Sequence, residues 1–129
     1  MGTFSVNIEI GSPEGAQFES LLALVDTGAS YTTLPAEMLG RLRVVPSERR
    51  QFQLADDTIV ERDVGLTQVR INGRVMPTLV VFEPVGTVAL LGAYTLEGFG
   101  LGVDPVRRRL VPVRGLLMAV HQCRPAHAG

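Results

Sequence analysis

The segment Leu21–Ser30, with the sequence LLALVDTGAS, decides the predicted fold. Its five apolar residues, Leu21–Val25, run directly into Asp26, so a carboxylate stands where a buried strand ends and a turn begins. Gly28 lets the backbone turn tightly, and the neighbouring threonine and serine bring hydroxyls close to the acid. Because a carboxylate held in this way is costly unless it is hydrogen-bonded, the arrangement indicates a site of chemistry.

A second segment, Leu90-Leu91-Gly92, follows later in the chain, and Ala93–Gly98 after it is predicted to form a short helix. An Asp-Thr-Gly-Ala-Ser loop after an apolar strand, followed by an apolar-apolar-glycine segment and a helix, resembles the retroviral-type (retropepsin-like) aspartic proteases. Either motif alone is a weak signal, but the two in this order form a strong one. The resemblance extends from about Thr3 to Val113, which is most of the chain.

The resemblance implies a role for each residue of the loop. Asp26 would be the catalytic acid, and Thr27 would brace the loop against a second copy of itself through hydrogen bonds. Gly28 would offer its carbonyl to the substrate backbone, and Ser30 would hydrogen-bond the outer oxygen of the acid. Ala29 completes the loop, and the segment Leu90, Leu91 and Gly92 would thread beside it.

The chain carries only one such acid, which predicts a homodimer. Hydrolysis of a peptide without a metal or a nucleophile needs an activated water, and two facing carboxyls that share one proton can supply it. No second Asp-Thr-Gly or Asp-Ser-Gly exists, and Asp104 has neither a hydroxyl nor a glycine beside it. Two copies of Asp26 at a two-fold axis solve this problem. The resemblance implies that residues 3–10 and 108–113 interleave in a sheet shared by both chains.

A hairpin is predicted over residues 49–64, and in the resembled family this hairpin is the flap above the cleft. The predicted substrate-binding residues at its tip are Ala55, Asp56, Asp57, Thr58 and Ile59. An extended polypeptide would pair with the backbones of flap and loop as an added strand. The apolar lining of the cleft is predicted to include Leu24, Val25, Ile59 and Leu90. The tip carries two acids and no glycine, and both acids are interpreted as solvated turn residues rather than metal ligands.

The remaining pattern predicts an all-β, closed, barrel-like retropepsin fold with one or two short helices and one lobe per chain. Asn72-Gly73 is the strongest hairpin signal, and Pro77 is expected at an edge or a bulge. A brief helix is predicted to begin at Pro35 and to turn Met38, Leu39 and Leu42 inward. The other predicted strands cover residues 4–10, 17–25, 31–34, 66–71, 74–82, 88–91, 99–103 and 110–113.

Composition sets the remaining expectations. A length of 129 residues predicts one domain, residues 1–114, followed by a partly disordered tail, 115–129. The net charge of −1 gives no basis for binding nucleic acid or a membrane surface. A single cysteine, Cys123, and the lack of a signal peptide predict a cytoplasmic protein. All twelve basic residues are arginine, which we interpret as the codon bias of a GC-rich bacterial genome. No cofactor and no metal is predicted, since His121, Cys123 and His127 lack a fourth ligand.

Two other interpretations of the sequence stay open. In the first, the chain is a retropepsin-like dimerisation or peptide-binding module without turnover. In the second, it is a plain all-β domain in which Asp26 shapes a turn. The acidic, glycine-free flap tip favours the first. A strict monomer would favour the second, because it leaves no route to a pair of acids.

Overall fold

The computed structural model describes residues 3–84 and 86–118. In chain order the elements are β1 (Phe4–Gly11), β2 (Phe18–Val25), β3 (Thr32–Pro35), α1 (Ala36–Arg41), β4 (Glu48–Gln53), β5 (Ile59–Ile71), β6 (Arg74–Glu83), β7 (Leu90–Leu91), α2 (Ala93–Phe99), β8 (Leu101–Asp104) and β9 (Arg109–Pro112). The predicted all-β class with short helices is confirmed. Neither helix of the described residues is long and apolar enough to cross a membrane.

In the part of the chain that the structure describes, seven strands form one sheet, and two form a separate ribbon. The order in the sheet is β1-β2-β7-β3-β6-β5-β4, and β8 pairs only with β9. An additional antiparallel pairing joins β1 to β5 at Glu9–Arg70 and Ile10–Val69. Because β1 lies at one end of the order and β5 near the other, this pairing curls the sheet back on itself.

The core lies inside the curled sheet and is built from the alternate, inward-facing positions of the strands. α1 covers part of it with Met38 and Leu39, and Leu42 follows just after the helix, so the inward face predicted for these residues is confirmed. The buried apolar cluster also contains Phe4, Ile8, Ile10, Ala23, Val25, Leu34, Val44, Val69, Ile71, Val80, Phe82, Ala89, Leu91, Leu96, Phe99 and Leu101.

β5 is one continuous strand of 13 residues, whereas the sequence predicted a break at Gly65. A Cβ at Gly65 would lie 3.0 Å from the carbonyl oxygen of Val45, so the glycine marks a close approach of backbone rather than the end of a strand. Pairing of β5 with β6 begins at Val64, opposite Val81. Among the described residues, the backbone of the outer part of β5, residues 59–63, therefore pairs with β4 alone.

The turn predictions hold where glycine or proline decides them. Asn72 and Gly73 have φ values of 52° and 80°, as a two-residue hairpin turn requires. Pro77 pairs with β5 on one side only, because β3 meets β6 from Val80 onward, so the edge prediction is confirmed.

The last strands begin and end differently from the prediction of 99–103 and 110–113. Phe99 stays in α2, and Gly100, with φ of 67°, ends that helix in the left-handed conformation. β8 and β9 therefore cover 101–104 and 109–112. His121, Cys123 and His127 lie outside the described residues, and the tail boundary at residue 114 stays a prediction.

Candidate active site

The aspartate loop and the Leu90–Gly92 segment are adjacent in space. β2 and β7 pair in parallel, with Leu24 opposite Leu90 and Val25 opposite Leu91. The amide of Asp26 continues this ladder and donates to the carbonyl of Leu91 at 3.1 Å. The Leu90–Gly92 segment, which was predicted to lie beside the loop, thus fixes Asp26 at the end of β2.

A tight turn presents the acid to solvent. The amide of Ala29 donates to the Asp26 carbonyl at 3.1 Å, and the amide of Gly28 donates to Asp26 Oδ1 at 2.9 Å. Among the described residues this is the one hydrogen bond that the carboxylate accepts. In the single chain Asp26 is half-buried, while Thr27 and Ser30 are exposed. Among the hydrogen bonds of the described residues, none joins Ser30 to the outer oxygen of the acid.

Gly92 lets two backbone segments cross at contact distance. A Cβ at Gly92 would lie 2.5 Å from the carbonyl carbon and oxygen of Tyr31, so only glycine fits there. Beyond the crossing, the first amides of α2 donate to the loop: Ala93 N to the carbonyl of Ala29 at 2.8 Å, and Tyr94 N to that of Ser30 at 3.0 Å. The loop thus satisfies amides that a helix start leaves without intrahelical partners, and the helix holds the loop in place.

Three threonines form a buried hydroxyl network under this crossing, which sequence reasoning missed. Thr32 Oγ1 accepts from the amide of Gly92 at 3.0 Å and lies 2.6 Å from Thr95 Oγ1. Thr95 Oγ1 in turn lies 2.8 Å from Thr78 Oγ1. Thr32 and Thr95 are almost fully buried, so the network ties β3, β6 and α2 together behind the loop.

A cleft of about 950 Å³ opens beside Asp26. Its walls are the aspartate loop, the β4–β5 hairpin and the segment before β7. The lining residues are Asp26, Gly28, Ala29, Ser30, Tyr31, Thr33, Arg50, Gln51, Phe52, Gln53, Leu54, Ala55, Val60, Arg62, Val81, Glu83, Thr87, Val88 and Leu90.

Of the predicted lining and flap residues, Ala55 and Leu90 border this cleft. Asp56, Asp57, Thr58 and Ile59 do not, and Ile59 turns its side chain to solvent, since strand positions alternate. Neither Leu24 nor Val25 borders it either; Val25 is buried in the core. Leu91 is also fully buried, so of the second motif only Leu90 faces the cleft.

The flap tip forms a well-bonded turn without glycine. Asp57 takes the left-handed conformation, with φ of 68°, which aspartate tolerates better than most residues. Asp56 Oδ1 accepts from the amide of Thr58 at 3.0 Å, and Gln53 Nε2 donates to Asp57 Oδ1 at 2.9 Å. Hydrogen bonds from Thr58 hold the pKa of the Asp56 carboxyl below its usual value of 3.8. The missing glycine therefore does not prevent the hairpin from forming.

Aromatic contacts, which the sequence prediction did not include, join the flap base to the aspartate loop. Tyr31 directly follows the loop and meets Phe52 of β4 edge-to-face at 5.3 Å between ring centroids. Tyr94 of α2 meets the same tyrosine at 5.3 Å in the same geometry. The signal that identifies Phe52 is its alternation with Arg50 along β4, which puts both side chains on the cleft face.

A smaller cavity of about 240 Å³ lies on the other side of Asp26. It is lined by Thr3, Phe4, Val25, Asp26, Thr27, Val103 and Pro105. The N-terminal strand, the aspartate loop and the β8–β9 turn thus meet around the acid. Within residues 3–84 and 86–118, no group of three or more His, Cys, Asp or Glu side chains is arranged to hold a metal ion.

This architecture, with an Asp-Thr-Gly loop crossed by an apolar-apolar-glycine segment, defines a retropepsin-like aspartic protease domain. A family model described as "gag-polyprotein putative aspartyl protease" matches residues 16–98, which is more than half of the 129-residue chain. The chain belongs to this aspartyl protease family. A search of curated proteins found no significant match.

Solved structures show the same fold. The retroviral protease-like domain of Ddi1 from Leishmania major matches with a TM-score of 0.58 at 16% identity, covering 87% of this chain and 89% of that one. The simian foamy virus (mac) protease matches with a TM-score of 0.53 at 21% identity, covering 74% and 94%. The EIAV protease, in complex with the inhibitor HBY-793, matches with a TM-score of 0.50 at 23% identity, covering 77% and 89%.

Proposed function

We propose that the chain is an aspartic endopeptidase that works as a homodimer, with Asp26 of each copy forming the catalytic pair. The observation that carries this proposal is the Asp26 carboxylate itself. Its backbone is fixed by the Leu91 carbonyl on one side, and the acid borders a cleft of about 950 Å³ on the other. Membership of the aspartyl protease family supports the same activity.

The surface around Asp26 supports the dimer. Thr27 and Ser30, which the resemblance assigns to inter-chain and carboxylate contacts, are exposed in the single chain. A small cavity beside the acid is bounded by Thr3 and Phe4 of the N-terminal strand. A two-fold axis at Asp26 would cover this surface and bring the acids together.

The proposed reaction needs one proton on the carboxyl pair. Two carboxyls in contact cannot both ionise cheaply, so they share a proton, as in known aspartic proteases. The ionised carboxyl takes a proton from a water held between the acids, and that water attacks the peptide carbonyl. The protonated carboxyl donates to the carbonyl oxygen as it becomes tetrahedral. The pair then protonates the leaving nitrogen, and the C–N bond breaks. The flap and loop backbones hold the peptide in an extended form.

Asp26→Asn tests the proposal. We expect the purified wild-type chain to cleave a denatured protein at mildly acidic pH, and a statine-type inhibitor to stop it. Asp26→Asn replaces the ionisable carboxyl of each chain with a neutral amide. We expect this variant to lose cleavage while its melting temperature stays unchanged. Asp63→Asn is the matched control, because Asp63 lies on β5 outside the cleft lining and pairs with Arg49. This control should retain full activity.

Sedimentation separates the proposed dimer from the alternatives. A dimer at micromolar concentration that cleaves only with an intact Asp26 supports both parts of the proposal. A dimer without cleavage at any pH would favour the binding-module interpretation. A monomer at all concentrations, or wild-type activity in the Asp26→Asn variant, would overturn the proposed catalytic pair.

A further inference from the structure

A row of charged side chains crosses three strands on the cleft face of the sheet. Arg50 of β4 stands directly opposite Arg62 of β5 in the antiparallel register. Glu83 of β6 continues the β5–β6 register two residues beyond the Val64–Val81 pair, which puts it opposite Arg62. All three side chains line the cleft that holds Asp26, so a bound peptide meets them as a group. We refer to Arg50, Arg62 and Glu83 as the charged row.

The charged row is held in place by contacts within the sheet. Arg62 Nε donates to Glu83 Oε2 at 3.3 Å, and this pair is less exposed than any other ion pair of the described residues, at 25% and 20% for the two side chains. Arg50 Nε donates to Glu48, and its Nη1 lies 3.5 Å from the hydroxyl of Tyr31, next to the aspartate loop. Both arginines are therefore positioned before a substrate arrives.

The row has donor capacity to spare. Arg62 uses Nε toward Glu83 and Nη1 toward the carbonyl of Glu61. Arg50 uses Nε and Nη1. Among the hydrogen bonds of the described residues, neither arginine uses its Nη2 atom, and each free Nη2 group can donate to a carboxylate. The row itself holds two arginines and one glutamate, and each arginine is paired with one carboxylate: Arg62 with Glu83 inside the cleft lining, and Arg50 with Glu48 outside it.

We infer that the charged row selects substrates with an acidic side chain near the scissile bond. This inference rests on the proposed peptidase activity and adds to it the class of substrate. A glutamate or aspartate side chain accepts from the unused Nη2 donors of two guanidinium groups, whereas a lysine or arginine brings only further donors and a like charge to them. An apolar side chain gains nothing and removes water from the charged groups. In a two-fold dimer the row occurs twice, so the acidic preference falls at mirrored positions on both sides of the cut.

Cleavage of defined peptides tests this preference. The probe is a mixture of synthetic ten-residue peptides with every residue type at each position, and mass spectrometry gives the cut sites. For the wild-type dimer we expect kcat/KM about fivefold higher with Glu than with Gln at the selective position, the effect of one partly exposed charge pair. With Arg at that position, kcat/KM is expected to fall below the Gln value.

Variants of the row should shift the preference in opposite directions. Glu83→Gln raises the net charge of the row, so the preference for Glu over Gln should increase. The double change Arg50→Gln with Arg62→Gln leaves only Glu83, so the preference should invert toward basic residues. Arg49→Gln is the matched control, since Arg49 neighbours Arg50 in β4 but pairs with Asp63 and Glu61 outside the cleft lining. Melting temperatures verify that each variant is folded.

The outcomes distinguish the two levels of the proposal. Cleavage by the wild type with equal rates for Glu, Gln and Arg at every position overturns the acidic preference and leaves the peptidase intact. A wild-type preference for basic residues, or a Glu83→Gln variant with a weaker acidic preference, also overturns it. If the wild type cleaves no peptide in the mixture, the proposed peptidase fails, and the substrate class fails with it.

Discussion

Replacing Gly92 with alanine puts a methyl group where the Gly92 backbone crosses the end of the aspartate loop. The added Cβ would lie 2.5 Å from the carbonyl carbon and oxygen of Tyr31 and 2.9 Å from the carbonyl oxygen of Ser30. Both neighbours are backbone atoms, which cannot rotate away as a side chain can. The φ and ψ of Gly92, −94° and 174°, are open to alanine, so the conflict is entirely steric.

The size of the effect follows from the bonds at the crossing. Moving the two segments apart weakens the hydrogen bonds from Ala93 to Ala29, from Tyr94 to Ser30 and from Gly92 to Thr32. At about 1 kcal/mol for each net hydrogen bond, the free energy of unfolding falls by about 3 kcal/mol. This agrees with the roughly 1–3 kcal/mol that overpacking costs in well-packed interiors. For a domain of this size the melting temperature should fall by about 10 °C.

Urea unfolding followed by circular dichroism, at one fixed protein concentration, measures this loss. The control is Gly98→Ala in α2, where a Cβ meets nothing within 4 Å. Alanine favours the helical backbone over glycine, so this control should gain up to about 1 kcal/mol. A Gly92→Ala variant whose free energy of unfolding lies within about 0.5 kcal/mol of the wild type would refute the close crossing.

Two further predictions concern the hydroxyl network and the flap tip. Thr95→Val leaves the hydroxyls of Thr32 and Thr78 without their shared partner and should lower the free energy of unfolding by about 1–3 kcal/mol. Thr95→Ser keeps the hydroxyl and should lower it less. Equal losses for the two variants in urea unfolding would contradict the network. The Asp56 carboxyl should titrate below 3.8, because Thr58 lowers its pKa, so the tip turn keeps its hydrogen bond in mildly acidic assays and loses it only as the pH falls through the lowered pKa. A midpoint at or above 3.8 by NMR would contradict this.

The sequence predicted those parts of the fold that depend on local chemistry. Alternation predicted β1, and Asn72-Gly73 predicted the turn between β5 and β6, because both signals lie within a few residues of one another. The sequence prediction failed at Gly65, because this glycine leaves room for the backbone carbonyl of Val45, which is distant in sequence, and does not mark a turn. It also misplaced the start of β8, because the left-handed residue that ends α2 is Gly100, one of three alternating glycines.

The candidate site divides along the same line. The motif around Asp26 and the segment ending at Gly92 were predicted to be adjacent, and the β2–β7 pairing places them so. Arg62 and Glu83 were missed, because their proximity depends on the register between β5 and β6, which a single sequence does not determine. Ile59 was predicted to face the cleft and faces solvent, which is the error that a shift of one residue produces in a strand.

The uneven support of β5 has a mechanical consequence. A strand that is hydrogen-bonded on both sides along part of its length, and on one side along the rest, bends most easily where the second set of bonds ends. From Val64 onward the backbone of β5 is paired with β6, and farther on with β1, whereas the backbone of its outer five residues, 59–63, pairs with β4 alone among the described residues. We therefore expect any movement of the hairpin over the cleft to bend β5 at residues 64–65. β4 and the outer part of β5, which are paired with each other, would then move together as a rigid unit.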